Sequence, residues 1–267
     1  MAPTGLVRLG NFCIISSKEE IMTIVKRSNQ SVSNPFDGSE MLLMAGESTG
    51  AGMITVADLF VDPGAKSAYH FYDNTEESIF VVEGDLEFRL GNKKFSASSG
   101  DCVFVPQGLG HGLENIGSTK ARLIIVYPNP SPNREVLDDV EYENTSPPSS
   151  VFVRKNNEPF EFQPGISRYD MVGDFLGAKS TYISELIFEP GSIAPNHYHP
   201  SHEEAMFCLD GNLMAVYAKD NGINLAEGDC FTCEIGIRHG IYNSSNNNAT
   251  LLALHSTLNP PPRVDVD

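Results

Sequence analysis

Long apolar runs are missing from this chain. No stretch reaches the roughly 18 consecutive apolar residues that a membrane-spanning helix needs, so no membrane span is expected. Basic residues are few: 18 Lys and Arg stand against 35 Asp and Glu, for a formal net charge of −17. A surface of that sign repels phosphate backbones and anionic membranes, which argues against nucleic acid or a membrane as partner. Solubility is the ordinary use of such acidity. Cysteine is sparse too. Cys13, Cys102, Cys208, Cys230 and Cys233 are too few and too irregularly spaced for a disulfide framework. The opening MAPTGLVRLGNFCIISSKEE lacks the apolar core and cleavage site of a secretory leader, so a cytoplasmic, reduced protein is expected. Helical signal is scarce. The segment Ser17 to Arg27, with a capping-box pattern at Ser17 and Glu20, predicts one short helix.

What remains points to strands. A chain of 267 residues suits two compact units, and its 23 glycines and 17 prolines are scattered as turns between short strands would require. An internal repeat supports the division. Asp62-Pro63-Gly64 matches Glu189-Pro190-Gly191 at an offset of 127, and His111 matches His239 at 128. Asn115 then matches Asn243, and ARLIIVYPNP from Ala121 matches ATLLALHSTL from Ala249. The expected organisation is an N-terminal unit over 1–130, a proline-flanked acidic connector over 131–150, and a C-terminal unit over 151–267. The connector is also suited to lie as an extended arm across a barrel. Within each copy, SIFVVEGDLEFRL (from Ser78) and AMFCLDGNLMAVYA (from Ala205) read as hairpins broken at an acid-glycine turn. Many short antiparallel strands predict an all-β sandwich or barrel in each half.

The second copy carries the chemistry. His197 and His199 stand at i and i+2, so on a strand both face one side. Glu204 returns on the neighbouring strand after a turn, and His239 arrives from a later one. Three imidazoles and a carboxylate suit Fe, Mn, Ni, Cu or Zn, and disfavour Ca and Mg, which prefer oxygen alone. Gly191-x5-His197-x-His199-x4-Glu204-x6-Gly211 resembles the first cupin motif at every position. Gly228-x5-Glu234-x-Gly236-x2-His239-x3-Asn243 resembles the second, with Glu234 where the family has proline. The first copy keeps the second motif through Pro106, Gly108, His111 and Asn115, but its first motif reads His70-Phe71-Tyr72 before Glu77. Tyrosine is a poor ligand, because its phenol must lose a proton of pKa near 10. His70, Glu77 and His111, with Tyr72, form a second candidate set, weighed against a degenerate barrel kept for packing.

The resemblance implies two tandem jelly-roll barrels, a bicupin with few short helices. It implies a divalent transition metal on His197, His199, Glu204 and His239, and a small-molecule substrate. Bicupins with this ligand set resemble the quercetin dioxygenase group, which cleaves flavonols and related enols with O2. A dioxygenase acting on a small enol or phenol is therefore the first expectation, with Glu204 doubling as general base. A redox-neutral isomerase, cyclase, lyase or decarboxylase using the metal as Lewis acid is the second. A non-catalytic binding bicupin is the third, disfavoured because a full ligand set survives. Further pairing into a homodimer through sheet edges is common in the family. Among smaller features, Cys230 and Cys233 face opposite sides of a strand and read as core. Met206 and Cys208 are expected inside the barrel. Arg238 is expected to point outward, His202 to be solvated in its turn or else to touch a substrate, and His255 to be a satisfied core histidine rather than a ligand.

Overall fold

The computed structural model describes residues 5–9, 12–17, 20–217 and 222–266, and nearly every element is an antiparallel strand. The N-terminal barrel is a seven-stranded sheet facing a six-stranded one. The C-terminal barrel is a nine-stranded sheet facing a five-stranded one. The expected all-β double barrel is what forms. Among the described residues the helical turns are four short 3-10 segments: Arg27–Asn29, Glu47–Thr49, Arg154–Asn156 and Asp174–Leu176.

Each barrel has its own apolar interior. Leu59, Ile79, Phe88, Leu123 and Ile125 fill the N-terminal one; Phe188, Met206, Cys208, Phe231 and Leu251 fill the C-terminal one. A third core lies between the barrels, where the outer faces of the two large sheets meet through Met44, Ile54, Phe104, Val126, Met171, Phe207 and Leu254. Strands of these sheets are therefore covered on both faces, which is why Ala121–Tyr127 is apolar and buried almost without alternation. Arg122 crosses this interface, its guanidinium forked onto Asp58 at 2.9 and 3.1 Å and reaching Glu227 of the other barrel at 2.8 Å.

Strand pairing runs across the repeat boundary symmetrically. Val151–Phe152, at the start of the second copy, pairs with Cys102–Val105 of the N-terminal barrel. Glu20–Val25, at the start of the chain, pairs with Cys230–Cys233 of the C-terminal barrel. Each copy thus lends its leading arm to the other. The turn that follows each arm is pinned by the barrel it visits: the Arg154 amide donates to Asp101 at 2.8 Å, and the Arg27 amide donates to Asp229 at 3.1 Å.

The arm at Glu20–Val25 corrects the helix predicted over Ser17 to Arg27. Ser17 ends a strand, Glu20–Val25 is a strand, and Arg27 opens a 3-10 turn; residues 18 and 19 lie outside the described residues. Three β-branched residues (Ile21, Thr23, Ile24) lead into Val25, and the free edge of Cys230–Cys233 recruits them. Local capping chemistry loses to a sheet edge that needs covering. The connector runs along the N-terminal barrel, where Arg134–Val136 pairs with His70–Tyr72 and Glu143–Asn144 pairs with Lys93–Lys94.

Candidate metal centre

Strand alternation and a strand-to-strand return bring His197, His199, Glu204 and His239 together. Each offers one ligand atom, these atoms all lie within 4.8 Å of one another, and all four residues are buried. His197 stands opposite His239 in the small sheet, while Glu204 projects from the first position of Glu204–Asp210 in the large sheet. The centre therefore sits where the two sheets face each other. It is the floor of a cavity of about 630 Å³ lined by Leu186, Phe188, Met206, Ile241 and Leu251, with Arg168 and Tyr182 as polar neighbours.

Hydrogen bonds fix which ring nitrogens point inward. The Nδ1 of His197 lies 2.8 Å from the Pro195 carbonyl, and that of His239 lies 2.9 Å from the Ile237 carbonyl. A carbonyl only accepts, so both Nδ1 atoms carry the proton and both Nε2 atoms of the neutral rings present a lone pair. The Nε2 of His239 then meets Glu204 Oε2 at 2.9 Å, acceptor against acceptor. His199 Nε2 approaches the same oxygen at 2.9 Å. Lone pairs opposed in a buried site need a cation between them or an extra proton on the ring. The donor set and its orientation fit a divalent transition metal. Burial alone would push the Glu204 carboxyl up, but His255 and His199 beside it hold it well below the usual carboxylate range. Burial, helped by His239, pushes His197 down to about 4, so its ring is neutral near pH 7.

Two residues near this centre depart from the sequence reading. His202 is not solvated: it is completely buried, and its Nε2 lies 3.0 Å from Nδ1 of His255. Its ring packs against those of His199 and His255, with centroids 4.5 and 5.1 Å apart. His255 is buried among core residues, as expected, yet its Nε2 also lies 3.7 Å from Glu204 Oε1. Arg238 is exposed, and Met206 and Cys208 belong to the interior core, as the alternation implied. Cys230 packs in the inter-barrel core and Cys233 inside the barrel, both free.

The N-terminal barrel repeats the layout with substitutions. His70, Glu77 and His111 gather their ligand atoms within 4.8 Å, with Nδ1 of each histidine again on a backbone carbonyl two residues earlier. His111 Nε2 and Glu77 Oε2 stand 2.5 Å apart, and neither has a hydrogen-bond partner. Tyr72, at the place of His199, does not join them. Its hydroxyl bonds to that of Tyr127 at 2.8 Å, and Tyr127 donates to Glu77 Oε1 at 2.8 Å. Tyr127, which the sequence reading did not single out, stands at the repeat position of His255. A cavity of about 520 Å³ opens above this floor.

The chain belongs to the cupin domain family, whose pattern matches it twice, over residues 59–127 and 184–255. With both barrels in one chain it is a bicupin. Quercetin 2,3-dioxygenase of Bacillus subtilis is 24% identical over 263 residues, covering 81% of this chain and 77% of that enzyme. An uncharacterized protein of Methanocaldococcus jannaschii, MJ1618, is 30% identical over 70 residues; the match spans 26% of this chain and about half (56%) of that protein. Among solved structures, the formate complex of Lactobacillus farciminis oxalate decarboxylase superposes with a TM-score of 0.76 at 14% identity, covering 94% of this chain and 89% of that one. That likeness concerns the fold. No described helix is long and apolar enough to cross a membrane.

Proposed function

We propose that the protein is a metal-dependent dioxygenase of small enolic or phenolic substrates, with its centre on His197, His199, Glu204 and His239. The observation that carries this reading is the convergence of those four ligand atoms within 4.8 Å at the base of a largely apolar cavity. A bound divalent ion would supply Lewis acidity toward a substrate oxygen and a route for electrons to O2. The rest falls to the chain. His197 and His239, locked by backbone carbonyls, hold their Nε2 atoms on the centre. Glu204, kept ionised by its imidazole neighbours, is the group placed to take a proton from an enol or phenol. Leu186, Phe188, Met206, Ile241 and Leu251 exclude water and accept an aromatic or alicyclic ring.

A cavity of about 630 Å³ is larger than a two-carbon diacid requires, which favours the ring-sized substrate over oxalate-like decarboxylation. The test is substrate screening in an oxygen electrode. O2 consumption stoichiometric with loss of an enol or phenol is expected. Turnover at an unchanged rate under argon would assign the chain to the redox-neutral class.

A further inference from the structure

Each metal-facing glutamate is preceded by another glutamate. Glu76 precedes Glu77, and Glu203 precedes Glu204. Successive residues of a strand face opposite ways, so when Glu204 looks into its barrel, Glu203 looks out of it, toward the other barrel. There its carboxylate accepts from the backbone amides of Gly52 at 3.2 Å and Met53 at 2.5 Å. Glu76 does the same in reverse. It accepts from the amides of Lys179 at 3.0 Å and Ser180 at 2.8 Å. The repeat offset of 127 carries Glu76 onto Glu203, and also Gly52 and Met53 onto Lys179 and Ser180. Both receiving loops follow a 3-10 turn that ends on a left-handed glycine, Gly50 (φ 95°) or Gly177 (φ 93°). Glu76 and Glu203 are 5% and 2% exposed, so neither bond set is a surface accident. Glu203 is further tied by Ser256, whose hydroxyl lies 3.1 Å from its amide and 2.9 Å from its carbonyl.

We infer that Glu203 is a positioning residue for the metal centre: it fastens the strand end bearing Glu204 to the Gly52–Met53 amides, so that the N-terminal barrel sets the geometry of the C-terminal site. Glu76 is its reciprocal, fastening Glu77 to the C-terminal barrel. The inference rests on the metal reading above. It gives the N-terminal barrel a task in the reaction that does not depend on ligands of its own. Two charge-assisted bonds to rigid backbone donors suit this role, because backbone amides keep their protons and their places at any ordinary pH.

The test uses the full chain loaded with Co(II), whose visible ligand-field spectrum reports coordination geometry. Glu203→Gln replaces one acceptor by a donor facing an amide. It is expected to change that spectrum and to weaken Co(II) binding about tenfold or more, as loss of a group supporting a ligand does. Glu227→Gln is the control. It removes the charge from another contact between the barrels, the one accepted from Arg122, at a residue outside both ligand clusters, and is expected to leave spectrum and affinity unchanged. A wild-type spectrum in Glu203→Gln, or equal changes in both variants, would overturn the inference. Wild-type protein that takes up no Co(II) would overturn the metal reading and this inference with it. In case Glu203→Gln does not fold, amide exchange of the wild-type protein gives a second reading. By reciprocity, metal loading is expected to slow exchange at Gly52 and Met53, and unchanged rates there would overturn it.

Discussion

Tyr72 and Tyr127 join their hydroxyls at 2.8 Å across the floor of the N-terminal barrel, and the two stand at the repeat positions of His199 and His255. Where the C-terminal barrel has two histidines, the N-terminal barrel has two tyrosines. In the C-terminal barrel both positions face Glu204, at 2.9 and 3.7 Å. In the N-terminal barrel the phenols bond to each other and then to Glu77, which removes one candidate ligand and ties up one carboxylate oxygen. Burial and the Glu77 charge push both phenols up, away from the phenolate that a metal would need.

Weaker metal binding is accordingly expected at His70, Glu77 and His111 than at the C-terminal set. Tyr72→His replaces the diverted phenol by an imidazole and frees Tyr127. Isothermal titration with Zn(II) is expected to show one tight equivalent per chain in the wild type and a second in this variant, at least tenfold tighter than the wild-type N-terminal site. An unchanged isotherm would show that the tyrosines do not limit binding there.

Acid is expected to destabilise the metal-free protein in a defined window. Burial is the chief cause that holds His70, His197 and His202 near 4 and His255 near 3. Unfolded imidazoles titrate near 6.5. Between these values the unfolded chain binds more protons than the folded one, so stability is complete above about pH 6.5 and falls as the pH drops toward 4. Glu77 and Glu204, both lowered, extend the loss below the ordinary carboxylate range. Urea midpoints from pH 8 to 4 check this, and His202→Gln is expected to flatten the slope by one histidine's share.

The thiols offer an independent check on the packing. Cys102, Cys208, Cys230 and Cys233 are buried and free, and burial pushes the Cys208 thiol up to about 12 and the others further. Reactive thiolate is therefore scarce. A disulfide reagent at pH 8 is expected to modify these four only on the timescale of unfolding. Fast labelling of Cys230 without unfolding would mean that the barrels separate in solution.

Cavity size is the feature that selects a substrate in the proposed reaction. Ala253 is buried and lines the cavity over the centre. Ala253→Leu is expected to raise KM about tenfold or more with metal content intact, through overpacking of the order of 1–3 kcal/mol. Loss of metal in this variant would mean that the wall and the centre are not separable.

Much of this was legible in the sequence because it depends on spacing. The i, i+2 histidines, the return to Glu204 and the second-motif His239 need only strand alternation to share a face, and the repeat doubled the barrel. Pairings at long range were not legible. Glu20–Val25 reads locally as a helix start, and nothing near it announces the Cys230–Cys233 edge 200 residues away. His202 sits in a polar turn, and its burial against His199 and His255 comes from tertiary contacts that the local sequence does not announce. Tyr127 and His255 did leave a trace: aligned by the repeat, both copies place a hydrogen-bonding side chain at the end of the same apolar strand.

The most direct test is elemental analysis of wild-type protein beside His239→Ala. His239 is 1% exposed, supplies one of the four converging atoms and touches Glu204. About one equivalent of a divalent transition metal per chain is expected in the wild type, with at least a hundredfold loss of affinity in the variant. Equal metal content in the two proteins would contradict the centre proposed here.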